Sequence, residues 1–151
     1  MATTTTVKVE GLRQLGERMR NLSADMNKKI ARAATNAAAQ VIKKSAVQKA
    51  PEYFKPHMLE GVLVQPGNLK KNIVAKRVNP LKTQLTSEHL VTVRGKKKDG
   101  YAARYGRLVE FGTVKMTPEP YLRPAFDQNK ENAVQAMKAK LEAGIFKAEK
   151  S

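Results

Sequence analysis

Cysteine is absent from the 151-residue chain. Disulfide staples, thiolate metal sites and cysteine nucleophiles are excluded in one step, and the composition suits a reducing cytoplasm. Histidine occurs only as His57, in a proline-rich segment, and His89, in an expected strand. Two imidazoles so placed are expected to have neither a catalytic nor a metal role. The glycines around Lys96 lack the spacing of a phosphate-binding loop. No apolar run approaches the roughly eighteen residues of a membrane span, so the chain is expected to be soluble. "MATTTTVKVEG" has no charged region leading into an apolar one, so no secretory signal is expected either. Aromatics are only 5% of residues, and the 13 acids are scattered. No convergent reactive set can be assembled, and the chain is expected to be neither an enzyme nor a cofactor binder.

Positive charge is what the chain has in excess. Lys and Arg number 29, for a formal net charge of +16. Such an excess attracts polyanions: nucleic acid, an acidic lipid surface or an acidic protein face. Charge alone does not choose among them. Apolar content of 41% is close to globular norms, and the length suits one domain with one core. A single domain over 1–151 is expected, with 1–6 and 147–151 flexible.

Thr3 to Glu10 predicts an edge strand, with Val7 and Val9 alternating against Lys8 and Glu10. After Gly11, the spacing of Leu12, Leu15, Met19 and Leu22 predicts a short amphipathic helix. Ser23 can cap the next helix, with Asp25 near its positive end. Its apolar face runs through Met26, Ile30, Ala34, Ala37 and Val41, its alanines favour helix, and Pro51 ends it after about 25 residues. Residues 52–66 form an extended loop or arm in which Gly61 to Val64 could be a strand. Asn68 to Lys71 suggest a turn. Strands are expected at Ile73–Val78, His89–Arg94 and Tyr105–Phe111, with "GKKKDG" as the hairpin tip between the last two. Pro124 suits the first turn of a C-terminal helix striped by Phe126, Ala133, Val134, Met137 and Leu141, with Gly144 ending it. The order predicts an α+β fold, a small mainly antiparallel sheet packed against a long alanine-rich helix and a C-terminal helix.

Two stretches stand out. "RGKKKDG" gathers Arg94, Lys96, Lys97 and Lys98, which could touch phosphates or an acidic partner without reading sequence. "VEFGTVKMTPEPYLRPAF", Val109 to Phe126, reads as a rigid strand-to-helix connector. Gly112-Thr113 allows a sharp turn, and Pro118 and Pro120 hold the chain extended. Phe111, Tyr121, Leu122 and Phe126 could be core or contact. Glu110 could pair with Arg123 within one chain or reach across an interface.

"VEFGT" followed by "PYLRPAF" resembles the signature of the tail-completion, or head-tail joining, proteins of long-tailed bacteriophages. "VKVEGL", the alanine-rich helix ending at Ala50-Pro51, and "GNLKKNI" agree with it. The resemblance covers most of the chain and implies a virion structural protein, assembled in the bacterial cytoplasm, that forms a hexameric ring at the neck or upper tail. Head-side connector or closure proteins, tail-tube or tail-terminator proteins, and DNA passing non-specifically through the lumen would be its partners. Glu110, Phe111, Gly112, Thr113, Tyr121, Arg123, Tyr53 and Phe54 would be subunit or partner contacts. One departure is that Pro66-Gly67-Asn68-Leu69 stands where the family has a Thr-Gly-x-Leu turn. The preceding Glu52 to Gln65 is taken as an inserted loop that reaches a neighbouring subunit, because Tyr53, Phe54, Met58, Leu59 and Val62 to Val64 are too apolar to hang free. The alternative from composition is a non-specific nucleic-acid-binding basic protein.

Overall fold

The computed structural model describes residues 10–52, 57–59, 62–78, 86–96 and 101–150. The expected N-terminal strand falls outside them except for Glu10, which is in a turn. Tyr53, Phe54, Lys97 and Lys98 also lie outside the described residues.

The elements in chain order are α1 (Leu12–Arg20), α2 (Ala24–Lys49), β1 (His57–Leu59), β2 (Val62–Val64), α3 (Asn68–Asn72), β3 (Ile73–Val78), β4 (Glu88–Val93), α4 (Ala102–Phe111) and α5 (Leu122–Glu149). The fold is α+β, as the sequence predicts, with five helices and two small two-stranded sheets among the described residues.

The first two helices follow from their caps. Ser23 Oγ accepts the Met26 N–H at 3.3 Å, which starts α2. The Asn27 side chain reaches back to donate to the carbonyls of Met19 and Leu22, satisfying acceptors left open at the end of α1. Pro51 ends α2 as expected. In the arm, β1 and β2 pair antiparallel with Met58 opposite Leu63, so the expected strand has a partner. Arg94 N donates to Asn72 O, placing the end of β4 beside the start of β3, the antiparallel sense.

Three sequence expectations need correction. Asn68 to Lys71 is not an open turn but the body of the short helix α3, entered through Gly67 at φ +73°. Tyr105 to Phe111 is not a strand. Ala102, Tyr105, Gly106 and Val109 recur at helical spacing and turn inward together, so the segment folds as α4 and no hairpin joins it to β4. Gly144 does not end the last helix, which continues to Glu149. A Cβ on Gly144 would lie 3.0 Å from Ile30 Cγ2, so this glycine permits a close helix approach.

The chain divides into two compact units, 1–41 with 77–89 and 130–151, and 42–76 with 90–129. In the first, Leu15, Ile30 and Ile145 form the buried centre, flanked by Met19, Leu22, Leu141 and Ala148. In the second, Ala46, Ala50, Leu69, Ile73, Val109, Tyr121 and Ala125 are buried together.

Candidate interface site

The segment from α4 to α5 is where the distinctive sequence and the geometry coincide. Gly112 follows α4 at φ +72°, the left-handed region that favours glycine, and its N–H closes on Leu108 O at 2.7 Å. The next four residues make a tight reversal. Thr113 N donates to Met116 O and Met116 N to Thr113 O, at 2.9 and 3.2 Å, leaving Val114 fully exposed at the tip. Glu119 N then donates to Val109 O at 2.8 Å, tying the proline segment to the last turn of α4. The connector is as rigid as its prolines predict, but it joins a helix, not a strand, to α5.

Its keystone is Glu110. The side chain is buried, and its carboxylate accepts three backbone N–H groups: Tyr121 at 2.8 Å, Leu122 at 2.9 Å and Arg123 at 3.1 Å. These donors open α5 and have no partner within the helix. An acid from the preceding helix thus supplies the cap and meets the positive end of the α5 dipole. Arg123 Nε lies 3.7 Å from Glu110 Oε1, and its guanidinium sits over the Phe111 ring, 4.7 Å from the centroid. Glu110 and Arg123 therefore pair within one chain.

Tyr121 is fully buried, and its hydroxyl has no hydrogen-bond partner. Burial first, then the nearby Glu110 charge, pushes its phenol up to about 12. Gly106 makes room for it: a Cβ there would stand 2.5 Å from the Tyr121 hydroxyl and 2.9 Å from Leu69 Cδ1.

The outward face of α4 is the complement of its core face. Arg104, Arg107, Leu108 and Phe111, at successive helical spacings, are all exposed there, and Phe111 keeps 61% of its surface. Arg94 adjoins the start of the helix, its carbonyl accepting the Ala103 N–H at 3.0 Å. On β1 and β2, the opposed Met58 and Leu63 are 64% and 52% exposed, while Val64 is buried.

The structure thus sorts the sequence candidates. Phe111, Thr113 and Arg123 face outward, and Gly112 is partly buried at the turn. Tyr121 belongs to the core and Glu110 to the buried cap, whereas Phe126 is exposed. Arg94 and Lys96 are exposed. His89 lies on β4, its Nδ1 2.9 Å from Thr35 Oγ1, which is also 2.9 Å from Ser87 Oγ and 2.9 Å from Ala31 O. This polar cluster ties α2 to β4. Sequence reasoning passed over Arg107 and Leu108, whose shared face exists only when the segment is helical. Ala102, Tyr105, Gly106 and Val109, at intervals of three and four, were the available signal.

No helix among the described residues is long and apolar enough to cross a membrane. A family model described as "Bacteriophage HK97-gp10, putative tail-component" matches residues 13–112, which is 100 of the 151 residues. The match takes in Glu110, Phe111 and Gly112 and stops before "PYLRPAF". No curated protein and no solved structure matches the chain.

Proposed function

The chain belongs to the HK97-gp10-like family of bacteriophage tail components, and from that premise we propose a non-catalytic virion protein that closes into a hexameric ring at the neck or upper tail. Each copy presents one face to a different face of its neighbour, a heterologous contact that closes when the rotation per copy fits the ring. DNA passes through the lumen. Head-side connector or closure proteins lie above the ring, and tail-tube or terminator proteins below. Assembly takes place in the host cytoplasm.

The observation that carries this reading is the exposed Met58–Leu63 pair. A two-stranded hairpin is marginal on its own in water, and here it holds two large apolar side chains in solvent, side by side. A neighbouring copy that covers them stabilises both the hairpin and the ring. Val114, at the tip of a connector braced by Glu110, is a second rigid apolar contact of the same kind.

Imaging of the assembled particle with this chain tagged, and sizing of nuclease-treated protein in high salt, test the proposal together. The expected result is a closed ring at the head-tail junction and retention of protein contacts in salt. Isolated chains coating nucleic acid, with affinity for any duplex falling steeply as salt rises, would overturn it in favour of a non-specific binder.

A further inference from the structure

We propose that the outward face of α4 docks a protein surface that is both acidic and apolar, supplied by a different virion component and not by DNA or a second copy. The inference rests on the reading of the chain as an assembled tail component and names the partner for one of its faces.

Arg104, Arg107, Leu108 and Phe111 share this face, Arg94 adjoins its first turn, and Arg123 stacks on Phe111 at its last. The only acid in α4 is Glu110, which is buried and occupied by three backbone N–H groups. The nearest acids in the following sequence, Glu119 and Asp127, lie beyond the helix. The face is therefore a run of guanidiniums interleaved with two bulky apolar groups, Leu108 keeping 39% of its surface exposed.

Charge and apolarity together restrict the partner. Phosphates would neutralise the arginines but leave Leu108 and Phe111 against a polar backbone, with no apolar area removed from water. A second copy brings the same net charge of +16, so its approach is opposed unless it offers an acidic patch. A surface of carboxylates set between aliphatic side chains satisfies both halves, with arginine accepting bidentate carboxylate pairing while Leu108 and Phe111 are covered. Arg123 is already planar over Phe111, so the aromatic and one guanidinium meet the partner as a unit fixed from below by Glu110.

The test is binding of the full-length protein to three labelled probes: a peptide alternating glutamate and leucine, a peptide alternating glutamate and serine, and a short DNA duplex. The glutamate-leucine peptide is expected to bind more tightly than the other two at moderate salt. Arg107→Glu and Leu108→Ser should each weaken it roughly tenfold or more. Both side chains are exposed, and a circular dichroism melt matching the wild type confirms that the variants are folded. Duplex bound at least as tightly as the glutamate-leucine peptide would overturn the proposal. So would equal binding of the two peptides, or insensitivity to both substitutions. Concentration-dependent self-association abolished by Leu108→Ser would assign the face to a second copy and overturn it as well. These outcomes leave the ring untouched, whereas failure to find a ring in the particle would not alter the peptide binding.

Discussion

Glu110 and Tyr121 are joined through the backbone: the Tyr121 N–H donates to Glu110 Oε2 at 2.8 Å, while the tyrosine ring fills the core beside the same carboxylate. One acid thus closes the end of α4 onto the start of α5, and the connector between them cannot move without breaking a buried charged cap. Glu110→Ala should destabilise the protein by about 2–4 kcal/mol, because three N–H groups lose a charged acceptor and the buried ones gain no water. Glu110→Gln, which keeps one acceptor oxygen, should lose less. Arg123→Ala should cost under about 1 kcal/mol, since its own side chain is largely exposed. Denaturant midpoints of the three variants check this ordering, and an Arg123→Ala loss as large as that of Glu110→Ala would mean the ion pair, not the cap, is the support.

Gly106 and the Tyr121 hydroxyl make a second, steric pair. Gly106→Ala places a methyl 2.5 Å from that oxygen and 2.9 Å from Leu69 Cδ1. The rigid buried ring cannot swing away, so a net loss of about 1–3 kcal/mol is expected, even though alanine gains up to about 1 kcal/mol in helix propensity. Tyr121→Phe removes a buried hydroxyl with no partner and should be neutral or stabilising by itself. In the Gly106→Ala background it should recover part of the loss. A double-mutant cycle by thermal or chemical unfolding measures that coupling, and strict additivity would show that the clash is relieved elsewhere.

Much of this fold could be read in the sequence where a single residue carries the signal. Ser23, Asp25, the alanine run and Pro51 mark α2 almost to its ends, and alternation marks β3 and β4. The segment 102–111 misleads because two of its inward positions are alanine and glycine. Small residues give no apolar stripe, and they are small because Tyr121 comes from elsewhere in the chain to fill the space. Gly144 misleads in the same way, since its reason is Ile30. Of the site, the unusual placement of Glu110 and its pairing with Arg123 were open to a reader of the sequence. The three N–H donors were not, because backbone groups have no sequence signature until the helix that orients them is known.

Alkali should expose the same buried ring. The Tyr121 phenol is raised to about 12 against an ordinary value near 10, so the folded state binds its proton more tightly than the unfolded state. The stability this provides is fully present below pH of about 10. Above it, stability should fall by up to about 1.4 kcal/mol per pH unit, levelling off near 12. Tyr121→Phe should lose this part of the pH dependence. Identical alkaline unfolding profiles for wild type and variant would show that the phenol does not report on folding.

The turn at Gly112 tests whether the connector's shape is required. At φ +72° an alanine is strained, and its Cβ would lie 2.8 Å from the Met116 carbonyl oxygen and 2.9 Å from Pro118 N and Cδ. Those neighbours belong to the proline-stiffened reversal and cannot yield separately. Gly112→Ala should therefore cost about 2 kcal/mol or more, and faster amide exchange should appear at Thr113, Met116 and Glu119, whose N–H bonds define the loop. Unchanged exchange at those three amides would mean that the loop holds its contour without the glycine.

The hairpin prediction separates folding from assembly. Met58 and Leu63 face each other across β1 and β2 but remain exposed, so replacing both with serine removes little buried area from the chain itself. The midpoint of unfolding should move by no more than about 0.5 kcal/mol in equivalent stability. Ring closure should fail all the same, because the covering neighbour loses the apolar area that makes its contact favourable, and a heterologous contact weakened in one copy is weakened in every copy. Val64→Ser, by contrast, introduces a hydroxyl at a buried position and should reduce stability before assembly is reached. Incorporation of the double-serine variant into particles at the wild-type level would mean that the arm is not the clasp between copies.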